Sequence, residues 1–123
     1  DLEWRILAMG CRRTIPETSA KVHELGGVYI AAHIDRPNFS VISGLGAVPE
    51  GCFDAVEFSR TANAADWVGR AGDLAITRSS DAHNLDDVAR VWTEAAIDDF
   101  TVAELKRAFS EKSTVISERI TRF

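Results

Sequence analysis

The sequence predicts an α/β domain with a mainly parallel sheet. Three observations carry that prediction: short apolar runs rich in β-branched residues, capping signals that open helices between them, and short connections bearing glycine, proline or polar residues. Composition agrees, with 123 residues, 46% hydrophobic and 27% charged, the balance of a folded globular body rather than a disordered chain.

The elements follow in order. Thr14 and Glu17 have the spacing of a capping box, with Pro16 in the first turn, and predict a helix that turns Val22 and Leu25 inward and stops at Gly26 and Gly27. Residues 28–32 are a continuous apolar run, the pattern of a strand covered on both faces, and the run ends at His33. Pro37 and Asn38 predict a brief helix containing Phe39, Ile42 and Leu45, before Gly46, Pro49 and Gly51 mark a loop. Residues 53–58 read as a second strand, 62–68 as a helix closed by Gly69, and 74–77 as a third strand running into Ser79, Ser80, Asp81 and His83. A fourth strand is predicted over 92–97. Thr101 and Glu104 repeat the capping-box spacing, with Phe100 and Leu105 placed for a hydrophobic staple and Val102, Leu105 and Phe109 on one apolar stripe. A last strand is expected over 114–117. No repeat or linker divides the chain, so residues 1–123 read as one domain.

Charge and composition exclude several classes of function. A formal net charge of −5 argues against a broad cationic face for nucleic acid, although bound cations can reverse the local potential and admit a phosphate substrate. Cys11 and Cys52 form no CxxC pair and are expected to be ordinary reduced, half-buried thiols. No apolar run approaches the ~18–20 residues of a membrane span and no signal-peptide pattern opens the chain, so the expected location is the cytoplasm and no membrane partner is expected. The chain begins at Asp1 rather than Met, which reads as an excised or processed piece of a longer protein. Gly44, Gly46 and Gly51 lack dinucleotide-site spacing, Ser79 and Ser80 lack a nucleophile elbow, and the acidic run 81–87 lacks the central glycine of a calcium-binding loop.

The residues that can do chemistry stand just after predicted strands. His33 follows one, and Asp81 and His83 lie past another; in a parallel sheet both carboxyl ends open on the same rim. Asp81 and His83, two apart, fall on one side of an extended backbone. Imidazole with carboxylate suits divalent zinc, manganese or iron better than calcium, which takes oxygen ligands alone. The same residues admit a plain structural account: His33 caps a strand, Asp81 turns a loop and His83 is a solvated surface residue.

The segments GGVYIAAHIDRPNFSVISGLG, FDAVEFS and AITRSSDAHNLDDV resemble the third and fourth motifs of PHP (polymerase and histidinol phosphatase) domains and the stretch joining them. The resemblance spans about residues 15–118. It implies metal ligation by His33, Asp81 and His83, up to three divalent cations in the complete site, and a phosphate-ester small molecule as substrate. It also implies a fold: the C-terminal part of a distorted (β/α)7 barrel. PHP domains open with an HxH motif and have a second motif with further His or Glu ligands; neither stands before His33. The expectation is therefore a partial PHP domain whose parent is a phosphoesterase, with this piece inactive alone, or else a non-catalytic module derived from such a domain. A half barrel leaves a sheet edge and an apolar face open to self-association.

Other residues fill secondary roles. Arg36 can clamp a phosphate in bidentate fashion or form an ordinary salt bridge, and Ser80 can hydrogen-bond a phosphate oxygen. Glu57 either reaches the rim to hold a histidine's distal N–H or remains a surface carboxylate. His23 is expected on the solvated face of its helix. Asp86 and Asp87 are expected to open a short helix, and Lys106, Arg107 and Lys112 to complement a helix C-terminus.

Overall fold

A computed structural model describes residues 10–119. Its first helix, α1 (Ile15–Glu24), opens on the expected capping box: Thr14 accepts from the Glu17 amide, and the Glu17 carboxylate accepts from the Thr14 amide at 2.7 Å. Gly26 then takes φ 76, a left-handed turn that glycine adopts without a Cβ clash. β1 (Ile30–Ala31) is shorter than its apolar run. After a turn, Ser40 caps the one-turn helix α2 (Val41–Leu45), which closes at Gly46 with φ 83. Phe39, expected in that helix, stays outside it in a left-handed conformation and is 97% exposed; Ile42 is buried and Leu45 is exposed.

β2 (Ala55–Phe58), α3 (Ala64–Ala71) and β3 (Ala75–Arg78) continue the alternation. Gly69 lies inside α3 rather than closing it; the chain leaves the helix at Gly72. A short 3₁₀ turn (Leu85–Asp87) precedes β4 (Val91–Ala95), then come α4 (Val102–Ser110) and β5 (Thr114–Glu118). Thr101 caps α4 through the Glu104 amide, but the Glu104 carboxylate accepts from the Asp98 amide at 3.1 Å instead of completing the box. Phe100 is 92% exposed, so the expected staple onto Leu105 does not form.

Strands β1, β2 and β3 form a parallel sheet in that order, with Ile30 beside Ala55 and Ala55 beside Ala75. Strands β4 and β5 pair with each other, antiparallel, where a continued parallel sheet was expected. No closed barrel is present among the described residues. The sheet has two covered faces. Ala31, Val56 and Phe58 point into the larger core with Ile34, Ile42 and Phe53, against which Ile15, Trp67 and Tyr29 pack. On the opposite face the small side chains of Ala55 and Ala75 leave room for Phe109 of α4 to bury against them. Cys52 is buried and Cys11 is exposed, in place of two half-buried thiols.

The antiparallel pair meets β3 through side chains. The Thr93 hydroxyl accepts from the Arg78 amide and donates to the Arg78 carbonyl, both at 2.8 Å, standing in for a strand partner. Thr114 donates to the Ile76 carbonyl at 3.3 Å. The Arg78 guanidinium, only 13% exposed, turns back to the carbonyls of Ser59 and Arg60 at 3.0 and 3.1 Å and so fixes the turn after β2. His23, half-exposed, is also engaged: its Nε2 lies 2.9 Å from the Asp54 carboxylate, which accepts the Tyr29 amide as well, so it ties α1 to the sheet. Among the described residues no helix is long and apolar enough to cross a membrane.

Candidate functional site

The parallel sheet places the ends of β1, β2 and β3 on one rim, and the candidate residues stand there. The Ile34 amide donates to the Glu57 carbonyl at 2.9 Å, extending the β1–β2 pairing past the end of β1. His33 bulges out between these anchors at φ 28, and its amide donates to the Glu57 carboxylate at 3.1 Å. The second oxygen of that carboxylate accepts from the Ser79 hydroxyl, so one carboxylate joins the loops after β1 and β3. Glu57 thus reaches the rim, but it holds the backbone of His33 rather than its ring. Sequence reasoning missed Asp35, whose carboxylate accepts the Ser59 amide at 2.6 Å and the Ser59 hydroxyl, pinning the His33 loop to the end of β2. A strand followed by an aspartate and a serine in the neighbouring strand's exit gives no local signal of that partnership.

Asp81 has φ 47, so two of the three candidate ligands hold left-handed backbones. Left-handed conformations cost less for Asp and His than for bulkier residues, yet they persist only where surroundings enforce them. The Asp81 carboxylate is paired with Arg36, which bridges the loop after β1 to the loop after β3. His83 Nδ1 lies 2.7 Å from the Asp81 carbonyl. A carbonyl only accepts, so Nδ1 carries the proton, and in the neutral ring Nε2 is left with a free lone pair on an exposed side chain. His33 Nδ1 is a buried polar atom with no hydrogen-bond partner among the described residues. Such an atom is costly unless something absent from the bare chain satisfies it.

Ser80 has another commitment. Its hydroxyl accepts from the Arg90 and Val91 amides at 2.9 and 3.1 Å and donates to the Val91 carbonyl at 3.0 Å, closing the loop that carries Asp81 and His83. Asp87 locks the same loop through Arg60 at 2.8 Å and Asn84 at 2.7 Å; the Arg60 hydrogen bond holds its carboxyl below the ordinary range. Beside the rim a cavity of about 410 Å³ opens between the sheet and α4, walled by Glu57, Ser79 and Trp92 and floored by Ile30 and Phe109.

Geometry therefore joins Arg36 to Asp81, Asp81 to His83 through the backbone, and His33 to Ser79 through Glu57. Among the described residues no three His, Cys, Asp or Glu side chains are already gathered around one point as a cation would require. The donor set still fits a divalent ion in kind: an orphaned imidazole nitrogen, a second imidazole with a free nitrogen, and a carboxylate already holding a cationic partner.

An α/β chain with imidazole and carboxylate donors at the carboxyl rim of a parallel sheet is the class that fold and site define. Residues 64–114 match the protein family described as PHP-associated. The matched segment contains Asp81 and His83 and lies beyond His33. Comparison with curated proteins and with solved structures found no match.

Proposed function

We propose that this chain supplies the C-terminal part of a divalent-metal phosphoesterase site, acting in its longer parent on a phosphate mono- or diester of a nucleotide or small metabolite. The observation that carries the reading is the unpartnered, buried Nδ1 of His33 on the same rim as Asp81 and His83. In this reading those three residues hold zinc, manganese or iron, and Arg36 grips the phosphoryl oxygens in bidentate fashion. A bound cation supplies a water of lowered pKa and neutralises charge on the leaving oxygen. Glu57 and Asp35 fix the His33 loop, and Ser80 shapes the loop of Asp81 and His83 instead of touching phosphate. His83→Ala in the full-length parent is expected to lower metal-dependent phosphatase turnover by about a hundredfold or more; unchanged turnover refutes the assignment. The 123-residue piece alone is expected to show little turnover with added manganese or zinc.

A second reading, a non-catalytic module, draws support from the Arg36–Asp81 ion pair, which neutralises the carboxylate without a metal. An upstream HxH motif on an apolar strand favours the enzyme and its absence favours the module. The outer edge of β1 pairs with no strand among the described residues, and self-association through it is part of either reading. Light scattering that returns a monomer at high concentration excludes it.

A further inference from the structure

We infer that Arg36 couples cation binding to oxyanion binding: it occupies Asp81 in the bare chain and passes to a tetrahedral oxyanion when a divalent cation takes that carboxylate. The inference rests on the metal reading above and concerns how the site is assembled.

The ion pair uses the Asp81 Oδ2 oxygen, and the partner groups are 44% and 30% exposed, so the contact can open without unpacking the core. The Arg36 amide donates to the His33 carbonyl at 3.0 Å, which places Arg36 and His33 on one turn. A change of partner therefore needs only rotation of the long arginine side chain. A divalent cation at Asp81 removes the attraction that holds the guanidinium and adds repulsion in its place. The freed guanidinium presents a planar fork of donors beside the cation, where two oxygens of a phosphate can satisfy it. Cation binding alone must break an ion pair. Cation and oxyanion together replace it, so each raises the affinity for the other by the same factor. Arg70 offers a contrast: its guanidinium lies over the Trp67 ring of α3, 5.5 Å from the centroid, and it forms no ion pair with Asp81 among the described residues, so it has no such exchange to make.

The test uses the full-length parent, in which the site is complete on the reading above, with Mn²⁺ as the cation and inorganic phosphate as the oxyanion. Calorimetry gives the Mn²⁺ affinity, and paramagnetic broadening of the His33 and His83 ring resonances locates it. Arg36→Gln is expected to tighten Mn²⁺ binding about three- to fivefold, the size of a partly exposed ion pair. Phosphate is expected to raise Mn²⁺ affinity about fivefold or more in the unaltered chain and to do so no longer in Arg36→Gln. Arg70→Gln is expected to change either quantity by less than about twofold. Equal tightening in both variants, or a phosphate effect that survives Arg36→Gln, overturns the coupling while leaving the metal reading intact. Absence of Mn²⁺ broadening at His33 and His83 in every form overturns the metal reading and the coupling with it.

Discussion

The segment from α1 to β3 and the unit formed by β4, α4 and β5 are held together by different physics. The first is a parallel sheet whose strands are sandwiched between two packed faces, and it contains Phe58, Ile34 and Val56, the largest fully buried side chains. The second buries mainly Val91, Ala108 and Phe109 and leaves Trp92, Val115, Phe100 and Val102 substantially open. It joins the first through the Thr93 and Thr114 hydroxyls, the Arg78–Glu118 ion pair and Phe109 of α4 buried against Ala55 and Ala75, rather than through a continuous backbone ladder. The loop carrying Asp81 and His83 leaves the first unit at β3 and returns in the second at β4. The comparison teaches that half of the candidate site inherits its position from the polar seam between the two, while His33 inherits its own from the core.

The largest test of that contrast is Phe58→Ala, which empties a site only 1% exposed and is expected to cost about 3–5 kcal/mol by chemical denaturation. A cost as small as that of a seam substitution would erase the distinction. Arg78→Met comes next: it leaves the Ser59 and Arg60 carbonyls without their donor, for about 2–3 kcal/mol. Hydrogen exchange should speed around residues 59–62 in that variant. Thr93→Val removes one hydroxyl that makes two 2.8 Å hydrogen bonds and is expected to cost about 1–2 kcal/mol. Its sharper signature is faster exchange of the Arg78 amide and shifted His83 resonances, with His33 unmoved.

The smallest effect is acid sensitivity. Asp87 is held below its ordinary 3.8 by the Arg60 hydrogen bond, and Glu104 below 4.5 by Arg107 and the Asp98 amide. Groups with depressed folded values stabilise fully above the unfolded value, and that contribution fades as pH falls through the lower folded one. The melting temperature should therefore decline below about pH 4, and Arg60→Gln should flatten the part due to Asp87. A profile unchanged by Arg60→Gln would remove Asp87 from the seam's electrostatics.

Much of this was legible in local sequence. The capping box of α1, the cap of α4, the three apolar runs of the parallel sheet and the positions of His33, Asp81 and His83 just past strands depend on spacings of a few residues, which the chain states directly. The PHP resemblance, matched over 64–114, rests on the same kind of short-range pattern. Boundaries were less legible: Gly69 reads as a stop, yet it is inside α3, because tertiary contacts of Trp67 and Ala71 with the core outweigh one unfavourable residue.

Partners distant in the chain were decided only by the fold. Antiparallel pairing of β4 with β5, His23 on Asp54, Glu57 on both the His33 amide and Ser79, Asp35 on Ser59, and Arg36 on Asp81 each join residues that no periodicity relates. Residue order sets which backbone shapes are cheap and which side chains are available. Which polar group satisfies which other is settled when the sheet assembles, because a buried donor or acceptor must find whatever partner the packing brings within reach.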